Sequence, residues 1–559
     1  KRMQSDKQQV RDLVTLLAKS GVKHVIISPG SRNAPLSISF HHHPDIQTHV
    51  VVDERSAGYI AIGMAQQLQT PVAVCCTSGT ASMNYGPAVA EALYQKIPLL
   101  VITADRPVEY IDQGEGQSIR QKGLFHSHVK YECELGEGDD KQTTWHNRRE
   151  IQSALIALQS PGPVHINVPM SESLYGFSEL IGSGTEPLIR PNIERVIDPS
   201  ELSRLRKEYG ESPRVLILLG TLFPDNDLSA ALRQLSENEN TLVLTETTSN
   251  ICGRKVVPSV DRLIMTFDEG DHGDFRPDLL ITAGHSIVSK KIKAMLRDNP
   301  PKAHWHVDSA DDVVDTFQVL THKIGLNPAA FFPLLAECDT VSSGFNGQWV
   351  ARDRKNRANH EAFIQKAEFS DMLAFNHILD SLPVRSQLQM GNSSVIRYIQ
   401  LYSQREDVNY FANRGTSGID GCTSTALGSS LVSAELVTFI SGDLAFMYDG
   451  NALWNNLSRD NLRIIVINNG GGGIFRIIEG PNKSGVLDTY FEASHTKTLE
   501  HLAAHHNVAY QSASDVVSLK AGLEALYSSK GCMILEVMTP REENDKVLKS
   551  YFRHLKENK

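Results

Sequence analysis

Val437-Thr438-Phe439-Ile440-Ser441-Gly442-Asp443 and Ile464-Ile465-Val466-Ile467-Asn468-Asn469-Gly470-Gly471 are the two stretches on which the reading of the fold turns. Each is a short, mostly β-branched run that stops at glycine beside a carboxylate or an amide. That pattern belongs to strands covered on both faces of a parallel sheet. Their carboxyl ends are where α/β sheets bind ligands. A further run at 533–537 completes the last third of the chain. In the first third, helical spacing from Gln8 to Lys19 stops at Gly21 and a strand follows at 24–28. Runs at 50–52, 72–76 and 99–103 repeat the step, each leading into a turn and a helical stretch. The middle third has strands at 215–219, 241–244, 279–282 and 303–307. Pro187, Pro191 and Pro199 lie in a polar stretch, 182–200, that reads as a linker, and the polar stretch 342–357 reads as the end of the second unit. The expectation is an α/β protein of three doubly wound parallel-sheet domains, 1–185, 200–342 and 358–559.

Whole-chain quantities narrow the function. The 559 residues are 41% hydrophobic and 21% charged, an ordinary globular composition, and no apolar run approaches the roughly 20 residues of a membrane span. Lys1, Arg2 and Met3 lead straight into polar residues without the apolar core of a secretory signal, so a cytoplasmic protein without membrane insertion is expected. Seven cysteines without a Cys-x-x-Cys pair argue against a disulfide framework and a structural zinc site. A net charge of −10 disfavours nucleic acid as a partner but leaves room for anionic small molecules in a local basic pocket.

The sequence holds no strict G-x-G-x-x-G, Walker P-loop, H-E-x-x-H or G-x-S-x-G, so nicotinamide enzymes, P-loop NTPases, zincins and α/β-hydrolases lose support. His41-His42-His43, next to Pro44, reads as an exposed loop rather than a ligand cluster.

Asn469 follows Asp443 by 26 positions, and the two ends supply a carboxylate and an amide oxygen. Such a pair suits a hard cation such as Mg²⁺, which takes oxygen ligands and keeps diphosphate oxygens among them. The glycines beside it let backbone approach a phosphate. The same residues also read as two ordinary turns. Val50-Val51-Val52-Asp53-Glu54-Arg55 then places Glu54 directly after an expected buried strand, opening a helix that contains Ala57-Gly58-Tyr59. A helix N-terminal acid favoured by the macrodipole is the lesser alternative there.

Gly442-Asp443 followed by Asn468-Asn469 resembles the signature of thiamine-diphosphate-dependent enzymes, although Leu444 stands where the usual pattern has a second glycine. The resemblance covers nearly the whole chain and implies pyrimidine-binding, central and diphosphate-binding domains. It implies thiamine diphosphate and Mg²⁺ (or Mn²⁺) as cofactors. Asp443, Asn469 and the Gly471 carbonyl would be the metal ligands, with Gly442 at the diphosphate. Glu54 would bond the aminopyrimidine ring and favour the tautomer that activates the cofactor. Ser28-Pro29-Gly30-Ser31-Arg32, Thr77-Ser78-Gly79-Thr80, Thr103-Ala104-Asp105-Arg106-Pro107, Asn413-Arg414-Gly415, Ser417-Gly418-Ile419-Asp420-Gly421 and Gly473-Ile474-Phe475 are similar to one branch of these enzymes. Its members join the succinyl carbanion equivalent of 2-oxoglutarate to isochorismate in menaquinone biosynthesis.

Both of those substrates are dianions. The resemblance nominates Arg32, Arg106, Arg397 and Arg414 to bind them, helped by Ser31, Gln117 and Ser393, because the planar guanidinium holds carboxylates bidentately. Thr77, Ser78 and Gly79 would touch the cofactor, Ile474, Phe475 and Ile478 would wall the thiazolium, and Ile419 would bend the cofactor into its reactive shape. Lys291 stands where the family also presents basic residues, with arginine in place of lysine. A homodimer with shared active sites, paired into a tetramer, is implied as well. Another thiamine-dependent 2-oxo acid decarboxylase or carboligase would share Glu54, Asp443 and Asn469 without the arginine anchors. A non-catalytic Rossmann-like binding protein would explain the three units alone.

Overall fold

The computed structural model describes residues 3–180, 183–477 and 480–559. Three six-stranded sheets organise them, and every strand pair within these sheets is parallel. The first sheet runs, edge to edge, Gln47–Val50, His24–Ile27, Val72–Cys76, Leu99–Asp105, Val164–Pro169, Tyr131–Glu134. The second runs Val256–Val257, Thr241–Thr245, Val215–Leu219, Leu279–Ala283, Ala303–Val307, His322–Ile324. The third runs Val408–Ala412, Ser386–Met390, Val437–Gly442, Leu462–Asn468, Met533–Met538, Ala509–Ala513. Helices cover both faces, so central strands such as Val215–Leu219 and Leu462–Asn468 are buried throughout. In each sheet the chain order reverses beside the first strand laid down, which opens a crevice at the carboxyl ends.

Three expectations change. The run 50–52 is not a buried strand: the strand is Gln47–Val50 at an edge, with Val50 55% and Val52 46% exposed and only Val51 buried. The triplet 41–43 is not a loop, since His41 and His42 end the Ala34–His42 helix with their rings edge to face. No group of three metal-ligating side chains forms among the described residues. The polar stretch 342–357 is mostly helix, Phe345–Ile364, whose Phe345 and Trp349 enter the core of the central unit. Farther along, its His360 meets the Tyr551 hydroxyl of the third unit (2.7 Å). The stretch 183–198, by contrast, carries no helix or strand until Asp198 caps Pro199–Glu211. An antiparallel pair, Met3–Ser5 with Phe177–Glu179, was not foreseen. All seven cysteines are free, and four are buried. No helix among the described residues is long and apolar enough to cross a membrane.

The first and third units share one apolar core, in which the Glu54–Leu68 helix crosses Cys422–Val432. A methyl group on Gly63 would overlap the Thr425 carbonyl oxygen, and one on Gly428 would overlap that of Ile60. The two backbones therefore touch directly. The central unit docks separately: Asn250 exchanges hydrogen bonds with Tyr410 through its N–H (2.8 Å) and its carbonyl (2.9 Å), and Val288 plugs into the core of the third unit.

Candidate active site

The carboxyl edge of the third sheet gathers one group of expected site residues. Arg414 follows Val408–Ala412, Ser393 and Arg397 follow Ser386–Met390, Gly442 and Asp443 end Val437–Gly442, and Asn469 and Gly471 follow Leu462–Asn468. These four strands are consecutive neighbours in the sheet. Gly442 lies opposite Ile467 in register, which sets Asp443 beside the glycine run. The N–H groups of Gly470 (2.9 Å) and Gly471 (3.0 Å) donate to Asp443 Oδ2, and that of Leu444 donates to Oδ1 (2.7 Å). His495 Nε2 lies 3.2 Å from Oδ2. Burial still pushes the Asp443 carboxyl above its usual range, the condition of an anion short of positive charge.

Asn469 Nδ2 donates to the buried Asp371 (3.1 Å), which leaves its Oδ1 for another partner. Asp371 also accepts from Thr539 Oγ1 (2.5 Å), and desolvation raises its carboxyl to about 6. Gly471 takes φ +146°, a conformation closed to other residues, and its N–H and that of Gly470 both turn toward Asp443. A carboxylate, an amide oxygen and a nearby carbonyl, with open space on the Cβ side of Gly442, fit a dication that carries a diphosphate. The glycine run is backed by Glu492, whose carbonyl accepts from Gly472 N–H (2.6 Å). The Glu492 carboxylate is held by Arg476 (2.7 Å) and Arg541 (2.7 Å). Ile474 is buried, Phe475 tilts against Phe491 with ring centres 5.7 Å apart, and Ile478 lies outside the described residues.

Arg414 Nη1 donates to Asn392 Oδ1 (2.9 Å), and its Nε is buried without a partner. Two acids of the central unit face these arginines. Glu246, 1% exposed, accepts the N–H groups of Val288 and Ser289 (2.7 Å each), and burial lifts its carboxyl to about 7. Asp261, bonded by Ser289 Oγ, lies within electrostatic reach of Arg397 and Lys291. Lys291 itself is exposed. Ser393 caps the Ser394–Ile399 helix with φ +67°.

A second group lies on the carboxyl edge of the first sheet. Glu54 opens its helix behind Asp53, which accepts from the N–H groups of Arg55 (2.9 Å) and Ser56 (3.3 Å). Burial raises the Glu54 carboxyl, although Asn84 Nδ2 donates to it (3.2 Å). Gly79 N–H donates to Gln121 Oε1 (2.8 Å), Gln117 packs on Gly79, Ser78 is buried and Thr77 half-buried beside it. Arg106 holds the Gly116 carbonyl through Nε (3.2 Å) and Nη2 (2.9 Å). Arg32 is buried, donating to the Met170 carbonyl (2.9 Å) and pairing with Glu172 (3.0 Å), while Ser31 is exposed. Ile419, 37% exposed, precedes Asp420, which accepts from Tyr59 (2.9 Å). Among the described residues no hydrogen bond or ion pair joins Glu54 to Asp443, Asn469 or Gly471.

Asp371, His495, Glu492 and Asn392 escaped the sequence reading. Each is defined by a contact across the fold, as Asp371 is to Asn469, and no local spacing announces it.

The N-terminal thiamine pyrophosphate-binding domain of thiamine pyrophosphate enzymes matches residues 9–124, and the C-terminal one matches residues 389–537. The chain is similar to 2-succinyl-5-enolpyruvyl-6-hydroxy-3-cyclohexene-1-carboxylate synthases over nearly its full length. It is 43% identical to that of Flavobacterium johnsoniae, covering 98% of both chains. It is 40% identical to that of Flavobacterium psychrophilum, again over 98% of both, and 40% identical to that of Porphyromonas gingivalis over 99% of this chain and 98% of the relative. Relatives this close and this complete, together with the two matching thiamine pyrophosphate-binding domains, place the chain in the 2-succinyl-5-enolpyruvyl-6-hydroxy-3-cyclohexene-1-carboxylate synthase family of thiamine pyrophosphate enzymes.

Proposed function

We propose that this chain is a transferase that decarboxylates 2-oxoglutarate and adds the remaining succinyl part to isochorismate. The products would be 2-succinyl-5-enolpyruvyl-6-hydroxy-3-cyclohexene-1-carboxylate and CO₂, in the pathway to menaquinone. The observation that carries the reading is the alignment of two arginines, Arg397 and Arg414, with Asp443 and Asn469 along one sheet edge in a chain with full-length relatives of that name. Residues 1–185 and 358–559 would be the two cofactor-binding units, with 200–342 between them.

Thiamine diphosphate, when bound, supplies a carbon nucleophile for the 2-oxo carbon and a sink for the electrons released with CO₂. Asp443 Oδ, Asn469 Oδ1 and the Gly471 carbonyl would hold Mg²⁺ or Mn²⁺. Glu54, whose half-buried carboxyl keeps its proton to higher pH than a free one, would hold and return a proton at Oε. Arg397 and Arg414 would take the carboxylates of the dianionic substrates, with Ser393 beside them, and Arg32, Arg106, Ser31, Gln117 and Lys291 would complete the pocket from other elements. For Arg32 this requires release from Glu172. Ile474, Phe475 and Ile478 would exclude water.

Glu54 and Asp443 stand at the carboxyl edges of different sheets, and the family resemblance supports a homodimer in which each site takes Glu54 from one chain and Asp443 from the other, with two dimers forming a tetramer. A cytoplasmic location suits the soluble, anionic substrates. Isochorismate-dependent consumption of 2-oxoglutarate, with one CO₂ per product, tests the reading. Equal turnover of pyruvate, or decarboxylation indifferent to isochorismate, would point instead to another thiamine-dependent 2-oxo acid enzyme.

A further inference from the structure

Arg414 is bracketed by a helix from a different unit of the same chain. The Glu91 carboxylate, on the Gly86–Gln95 helix of the first unit, grips the turn that follows the arginine. Gly415 N–H donates to Oε1 (2.7 Å), and both the N–H and the Oγ1–H of Thr416 donate to Oε2 (2.7 Å each). One helical turn on, Gln95 Nε2 donates to Glu91 Oε1 (2.9 Å) and to the Ala412 carbonyl (3.1 Å), which precedes the arginine. The backbone of the turn lies against the helix itself: a Cβ at Gly415 would stand 2.6 Å from the Glu91 carbonyl oxygen and 3.0 Å from Gln95 N.

Glu91 is 1% exposed, and among the described residues no cation forms an ion pair with it. Burying a carboxylate is costly unless its oxygens are fully used. A helix that only covered a sheet would carry an apolar residue there. Here three of the four hydrogen bonds that the carboxylate accepts come from the segment 412–416 and the fourth from Gln95, which itself holds the Ala412 carbonyl, and the one charged side chain within that segment is Arg414.

We propose that Glu91 is a positioning residue for substrate binding, which fixes the Arg414 guanidinium from the first unit by clasping the Gly415-Thr416 turn. The proposal rests on Arg414 being an anchor for a substrate carboxylate. Because Glu91 would act through Arg414, its effect must vanish once the arginine is gone.

The test uses full-length holoenzyme with thiamine diphosphate and Mg²⁺, comparing Glu91→Gln, Arg414→Ala and the double variant. A glutamine amide presents an N–H₂ where one backbone donor needs an acceptor, so the turn should be released. The expected result is a rise in KM for 2-oxoglutarate of about tenfold with a much smaller change in kcat. The affinity for thiamine diphosphate should be unchanged, and the double variant should be no worse than Arg414→Ala alone. Gly415→Ala should reproduce the effect by pushing the turn off the helix. Should Glu91→Gln not fold, Thr416→Val removes a single donor, and a KM rise of about threefold, absent in the Arg414→Ala background, is expected. Additive losses in the double variant, or a fall in cofactor affinity alongside the KM change, would overturn the clasp. An Arg414→Ala enzyme with parental KM would instead remove the anchor on which the proposal stands.

Discussion

Glu54 and Asp443 sit on the carboxyl edges of different sheets without a hydrogen bond or ion pair between them among the described residues. If a working site takes one residue from each of two chains, two inactive proteins should repair each other. Glu54→Gln chains and Asp443→Ala chains are co-expressed, and the mixture is purified as one pool. Under two-fold symmetry a mixed dimer has one site carrying both lesions and one carrying neither, because its Glu54 and its Asp443 come from different partners. Random pairing makes about half the dimers mixed and half the sites in those intact, so about a quarter of the parental activity should return. The assay is isochorismate-dependent loss of 2-oxoglutarate, normalised to total protein, with each variant alone as the baseline. Mixing the separately purified dimers should restore activity only as fast as subunits exchange. If each site lay within one chain, every site in the mixture would keep a lesion. Co-expressed activity no higher than that of the separate variants would then refute the shared site.

Glu54→Gln alone should leave thiamine diphosphate affinity, measured by fluorescence quenching, nearly intact while lowering kcat by about 10²–10⁴-fold, the usual worth of a positioned proton donor or acceptor. Near-normal turnover would remove Glu54 from the chemistry. Chelation of the metal, or Asp443→Ala, should release the cofactor on gel filtration, because the diphosphate would face the acids of this edge without a bridging cation. Retention of full affinity in metal-free protein would exclude Asp443 as a ligand. Glu246 gives a pH signature. Its folded carboxyl titrates near 7 against an ordinary 4.5, so between those values the folded chain keeps a proton that the unfolded chain releases. Stability from this group is therefore lost as pH rises from about 4.5 to about 7. Denaturant titrations across that window should show a shallower decline in Glu246→Gln, and an unchanged slope would argue against a buried, uncompensated Glu246.

Strands read correctly where both faces are apolar, as in Val215–Leu219 and Val72–Cys76, because burial on two sides leaves an unbroken hydrophobic run. Ser386–Met390 gave no such signal although it is buried along its whole length. Its Gln387 and Gln389 are satisfied inside the protein by Gln67, Ser433, Gln66 and Ser429, two of them from the first unit, so its polarity is paired across the fold rather than solvated. The error at 50–52 has the opposite cause, since three valines at a sheet edge cannot all find cover within one chain. In the site, Asp443 and Asn469 were legible because strand, turn and spacing mark them in one dimension. Glu91 was not, because what distinguishes it is a turn more than three hundred positions away that only the folded chain brings to it.

The crossing of Glu54–Leu68 over Cys422–Val432 has a mechanical consequence. Helices normally keep their axes apart by the thickness of their side chains and can roll on them. At Gly63 and Gly428 there is no such bearing, only peptide against peptide, so any hinge between the first and third units would open a gap that no side chain could follow. Within one chain these units form a single fixed jaw. Traffic of cofactor and substrates then falls to whatever lies off that frame: the glycine run 470–473 and the segment behind it held by the ion pairs of Glu492.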